Sequence, residues 1–178
     1  MVDSDTKAKP DTTSPADRAT RLARAEVLVK DHMIMSAAAG LIPAPMLDLA
    51  ASLGIQLALI KRLCTLYGVT FSENAARAIV LSLFGSVGAG TLAAGVFLSV
   101  AKLIPGAGTL MGAISMPIAM SAVTYAVGKV FIAHLELGGA LLDFDPAANR
   151  AYFKEMVRRG RAAAAELAGT STTAKPSR

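Results

Sequence analysis

Two stretches without charge, set end to end, constrain this chain more than anything else in it. From Ala78 to Ala101 no side chain is charged, and from Leu103 to Gly128 none is charged either; Lys102 alone separates them. As a helix each run measures roughly 35 Å, against about 30 Å for the hydrocarbon core of a bilayer. The joint carries Ile104-Pro105-Gly106-Ala107-Gly108, a turn signal. Residues 78–128 therefore read as a membrane-embedded helical hairpin turning at Pro105–Gly108.

Composition agrees. The chain is 53% hydrophobic but 5% aromatic and 17% charged, too apolar for an ordinary soluble domain and too poor in aromatics for a large packed core. Its apolar mass is Ala, Leu, Val, Ile and Met with 15 Gly, the mixture of closely packed membrane helices. The net charge of +5 raises nucleic acid as a partner. The basic residues, however, flank the apolar runs and are not interleaved with aromatics, which excludes that class. The single cysteine, Cys64, excludes an internal disulfide and a CxxC metal site, and reads as an inert apolar residue. Met1-Val2-Asp3-Ser4-Asp5 opens no apolar signal-peptide core, so no cleavage is expected.

In chain order, residues 1–14 read as a disordered tail, 15–145 as a helical membrane domain, 146–168 as a basic amphipathic helix and 169–178 as a second tail. Ser14-Pro15-Ala16-Asp17 starts a helix with Ser14 as N-cap and Asp17 near its positive end. Leu22, Ala25, Val29 and Met33 share its apolar face. Pro43 and Pro45 break the next apolar run, which predicts a helix end near Leu41 and a second arm from Met46 to about Leu66. The first arm is too short to span, so this pair reads as a re-entrant or interfacial hairpin. Gly68 suits a helix C-cap and Ser72 an N-cap. Lys129 marks the exit of the long hairpin. Asp145 and Pro146 start the last helix, with Phe153, Met156 and Val157 on one side. The fold class is all-α: an integral membrane protein with a long transmembrane hairpin and a shorter Pro-broken one, flanked by cytoplasmic amphipathic helices. Lys and Arg lie almost wholly on one side of the hairpins, which places both termini in the cytoplasm by the positive-inside rule.

Few residues carry chemistry. Gly88-Ala89-Gly90-Thr91-Leu92-Ala93 fits a dinucleotide fingerprint in form only, since a helix precedes it and no acidic residue follows at the right distance. No phosphate-binding P-loop exists either, and no cofactor is implied. Ser86, Gly90 and Ala94, and Gly108 with Gly112, repeat every four residues, as do Ala122 and Ala126. Small residues at that spacing let helices approach closely within a chain or between copies. Asp48, Ser52 and Gln56 make a polar stripe on an apolar arm. Asp48 either pairs with Lys102 inside the membrane or is a first-turn residue stabilised by its helix dipole. His32 and His134 have no second ligand at metal spacing, so no metal site is expected. Arg158, Arg159 and Arg161 are candidates for contact with a partner or anionic lipid.

Pro43-Ala44-Pro45-Met46-Leu47-Asp48, Lys102-Leu103-Ile104-Pro105-Gly106-Ala107-Gly108 and Thr124-Tyr125-Ala126-Val127-Gly128 resemble the bacterial "domain of unknown function 697" family over about residues 27–145. The resemblance implies an inner-membrane helical domain, sometimes linked to a Ras-like or dynamin-like GTPase domain. This sequence contains no such domain, and the family supplies no catalytic residues to carry over. The expectation is a non-enzymatic inner-membrane anchor or adaptor that recruits a cytoplasmic partner such as a GTPase, with possible homo-oligomers through its small-residue faces. The alternative is a small transport or pore-forming protein with Asp48, Ser52, Gln56 and Lys102 along a polar path.

Overall fold

Hydrogen bonds at the helix ends decide where each element of this chain begins and stops. The structure, a computed structural model, describes residues 14–40, 45–86 and 109–173. Helix α1 spans Pro15–Ala39. The Ser14 hydroxyl accepts from the Asp17 amide at 3.2 Å and donates to the Asp17 carboxylate at 2.8 Å, so the expected cap forms. Gly40 closes the helix, its amide donating to the Ser36 carbonyl. Helix α2 spans Pro45–Tyr67 and ends in a Schellman turn. There the Val69 amide reaches the Cys64 carbonyl at 2.8 Å, and Gly68 takes φ +69°, which a side chain would strain. Helix α3 spans Glu73–Ser86, with the Ser72 hydroxyl 3.5 Å from the Ala75 amide.

Helix α4, Thr109–Glu136, is the axis of the bundle and packs against α1, α2 and the last helix. It runs past Lys129, where the uncharged stretch ends. It runs on to a second Schellman turn at Gly138, φ +81°, with the Gly139 amide on the His134 carbonyl. A 3-10 turn at Leu141–Asp143 leads to α5, Arg150–Thr173. The Asp145 carboxylate does cap amides, those of Ala147 and Ala148 at 2.7 and 3.2 Å. These belong to a turn, and the helix proper begins four residues after the expected start and ends five after the expected 168. No strand occurs among the described residues, so the all-α expectation holds.

Side-chain contacts fix the register. Glu26 pairs with Lys129, Met33 with Ser121 and Ser36 with Thr124, so α1 runs antiparallel to α4. Gln56 meets Thr124 and Tyr67 meets Glu136, so α2 runs parallel to it. Gly160 lies on the backbone of Ala122, which brings α5 back along α4 from the stacked rings of Phe131 and Phe144, 4.8 Å apart. The core holds Ala25, Val29 and Met33 of the expected α1 face, but Leu22 is exposed. Phe153, Met156 and Val157 are buried as expected, with Gly160 and Ala164 continuing their side of α5.

Among the described residues one helical segment, Pro117–Glu136 of α4, is long and apolar enough to cross a membrane. More than half of it is buried against its neighbours. The last part of the uncharged run, to Gly128, therefore serves as the core of a bundle, a role that hydropathy alone does not separate from a span. The middle of the proposed hairpin, residues 87–108 with its turn at Pro105–Gly108, lies outside the described residues, as do the outer parts of both proposed tails.

Candidate functional site

Three groupings of polar side chains organise the bundle. The first is a buried layer joining α1, α2 and α4. The Thr124 hydroxyl donates to the Met120 carbonyl at 3.1 Å. It accepts from Gln56 Nε2 at 2.7 Å and lies 2.6 Å from Ser36 Oγ. One donor and two acceptor positions exhaust a hydroxyl, so Ser36 is the donor in its pair. One turn away the Ser121 hydroxyl donates to the Met33 carbonyl at 2.7 Å. Ser52 and Gln56, the described part of the expected polar stripe, both face inward. Gln56 Oε1 is buried with no hydrogen-bond partner among the described residues.

The second grouping gathers at the charged end around Glu136. Tyr67 Oη donates to Glu136 Oε1 at 2.6 Å, while Arg18 and Arg21 approach the same carboxylate at 3.5 and 3.7 Å. The Arg21 guanidinium lies 4.8 Å over the Tyr67 ring. Burial first, and then the neighbouring carboxylate, pushes the Tyr67 phenol well above its ordinary value. Two turns earlier on α4, Lys129 bonds Glu26 at 2.5 Å and sits 5.3 Å over the Tyr125 ring. The pattern reading passed over both acids. The signal was there for Glu136, because a carboxylate in a helix's last turn opposes the dipole and calls for a cation.

The third grouping is on α5. Lys154, Val157, Arg158 and Arg161 line a groove of about 190 Å³. Arg158 makes a two-pronged bond to Glu155 at 2.8 and 2.9 Å. Arg159 turns to the same carboxylate at 2.8 Å and stands outside the groove. The two guanidiniums hold the Glu155 carboxyl down at about 2. Of the three arginines singled out from the sequence, then, two line a concave surface and the third serves a local ion pair.

The remaining expectations divide. Ser86 is described, its hydroxyl bonding back to the Leu83 carbonyl at 2.5 Å. Gly90, Ala94, Gly108 and Lys102 lie outside the described residues, as do the side chain of Asp48 and the surroundings of Gly112. The proposed Asp48–Lys102 pair thus falls there too. Close approach at small residues is real further along α4, where Ala122 and Ala126 are fully buried and Ala122 meets Gly160. His32 is buried with Nδ1 2.7 Å from the Leu28 carbonyl, and His134 Nε2 lies 2.8 Å from the Ala140 carbonyl. Both histidines are engaged with backbone. The described residues contain no group of three His, Cys, Asp or Glu able to hold a metal ion. Cys64 is buried, and desolvation raises its thiol, which leaves little thiolate for chemistry.

What these features define is a helical bundle around one apolar helix, locked by polar contacts and carrying a basic groove on its last helix. The chain belongs to the family described as a domain of unknown function, DUF697, whose model matches residues 15–148. That span opens on the first residue of α1 and closes just ahead of α5. The chain is also 40% identical over 162 residues to "Magnetosome membrane protein 22" of Magnetospirillum gryphiswaldense strain MSR-1, covering 89% of this chain and 82% of that protein. No solved structure matches.

Proposed function

We propose that this protein is a non-enzymatic inner-membrane anchor, with both termini cytoplasmic, that presents its helical bundle to a cytoplasmic partner such as a GTPase. One observation carries the reading. Three helices change the character of their outer faces part-way along. On α1 the charged residues end at Asp31, and the exposed residues beyond are Ile34, Met35 and Ala38. On α2, Ala51, Gly54 and Ala58 are exposed within the uncharged stretch that separates Asp48 from Lys61 and Arg62. On α3 the charges end at Arg77, followed outside by Ala78, Leu81 and Gly85. A globular domain in water has no reason to shed exposed charge on three neighbouring helices toward one end, whereas a bundle rooted in a bilayer does. The uncharged sequence around Lys102 continues from α3 and leads into α4 at that same end.

The similarity to a protein named for a membrane supports the same reading. The partner is assigned to the charged end because Arg24, Lys30, Lys61 and Arg62 are exposed there. The transport alternative draws less support. Gln56, the innermost residue of its path, spends its amide donor on Thr124 and so ties helices together.

Alkaline carbonate extraction of membranes, with phosphatase and fluorescent reporters on the C-terminus, tests the proposal. The protein should stay in the pellet, with the fluorescent fusion bright and the phosphatase silent. Release by carbonate, or an active periplasmic phosphatase, overturns it.

A further inference from the structure

We infer that the groove on α5 binds the phosphate of an anionic lipid headgroup, with Lys154 and Arg161 as the binding cations and Arg158 as a fixed third wall. The inference rests on the membrane reading above and deepens it.

The groove's chemistry points to an anion. Lys154, Arg158 and Arg161 stand at i, i+4 and i+7, so they share one face of the helix, and Val157 forms an apolar floor between them. Glu155 neutralises Arg158 in part and orients it. Lys154 and Arg161 have no ion-pair partner among the described residues. Two unpaired cations beside a pre-set guanidinium form a charge-assisted donor array suited to phosphate oxygens.

The groove's height on the bundle points to a lipid as the source. Gly160 rests on Ala122 and Tyr125 of α4, so its neighbour Arg161 lies close to the level of Thr124. At that level α1 bonds α4 through Met33 and Ser36, and the residues between them, Ile34 and Met35, are 57% and 50% exposed. Basic and apolar surface therefore occupy the same height. A soluble anion would ask only for the cations. A headgroup layer asks for both, phosphate against the groove and acyl chains against the aliphatic side chains.

Purified full-length protein in neutral detergent is titrated with short-chain phosphatidylglycerol, phosphatidylcholine and inorganic phosphate, and binding is read from the rise in Tm. Phosphatidylglycerol should raise Tm in a saturable way, and the other two should not. Each of Lys154→Gln and Arg161→Gln should weaken the lipid about fivefold. Arg159→Gln removes the same charge one residue outside the groove and should leave affinity within twofold. Equal losses from Arg159→Gln and Arg161→Gln would mean diffuse attraction and overturn the site. An equal response to inorganic phosphate would overturn the lipid assignment, and no response to phosphatidylglycerol would overturn both. Carbonate extraction of Arg161→Gln separates this from the anchor reading, because the variant should remain fully in the pellet. If wild type itself leaves the pellet, it is the anchor that fails.

Discussion

Gly160 offers the most direct test of how the bundle is held. A Cβ built there would lie 2.7 Å from the Ala122 carbonyl oxygen and 2.9 Å from its Cα. Both are backbone atoms of the central helix, so no side chain can swing aside. By contrast, a Cβ on Gly54, also inside a helix, meets nothing within 4 Å. The two Gly→Ala substitutions gain the same helix propensity, about 1 kcal/mol, and differ in packing. Forcing a methyl group into a filled contact costs about 1–3 kcal/mol. Gly54→Ala should therefore stabilise by up to about 1 kcal/mol, and Gly160→Ala should destabilise by up to about 2 kcal/mol. At about 2–4 °C per kcal/mol for a chain of this size, the two variants should melt several degrees apart on either side of wild type. Circular dichroism of the detergent-solubilised full chain reads this. If Gly160→Ala melts at or above wild type, α5 does not sit on α4 as described, and the level assigned to the lipid groove falls with it.

Four further outcomes follow from the same geometry. Thr124→Val keeps the shape but strands Gln56 and Ser36, and should cost about 2 kcal/mol or more in thermal stability. Gly128→Ala drives a methyl group into the stiff, buried Val29, so it should destabilise alone and be partly rescued by Val29→Ala in a double-mutant cycle. The Tyr67 phenol is raised in the fold from an ordinary 10, so its contribution is complete below pH 10 and fades as pH rises above it. Glu136→Gln should lower its absorbance-monitored titration while leaving it above 10, since burial is the larger cause. Glu155, held at about 2 by Arg158 and Arg159, should move toward 4.5 by NMR titration when both arginines are changed to alanine.

Much of the fold was legible because helix ends obey local rules. Ser14, Pro15 and Asp17 formed the expected cap, and Gly68 the expected turn, since each needs only neighbours along the chain. The last helix buried the right residues for the same reason. Local rules misplaced its start, because Asp145 caps a turn as readily as a helix and nothing in the sequence distinguishes the two. Leu22 was assigned inward by spacing but stands exposed beside Arg21 and Arg18, whose pull toward Glu136 comes from a residue more than a hundred positions away. No periodicity within α1 contains that information.

The sites divide along the same line. Arg158, Arg159 and Arg161 were visible as a basic cluster, but their separate roles depend on Glu155 holding the first two and on only Arg158 and Arg161 facing the groove. Spacing allows both pairs, since i+3 and i+4 partners are each within reach on a helix, but it does not say which arginine also faces the groove. Ser52 and Gln56 were visible as a stripe, but the bond from Gln56 to α4 needed Thr124, which the sequence shows only as one more small polar residue in an apolar run. Once Thr124 is known to face both α1 and α2, its hydroxyl becomes the reason that an uncharged helix has a fixed rotation in the bundle. Leucines alone would tolerate other rotations at small cost. A buried hydroxyl with three partners does not, because each rotation that breaks the layer strands donors and acceptors from three helices at once. That fixed rotation is also what turns Ala122 toward Gly160, and so sets where along the bundle the basic groove of α5 comes to lie.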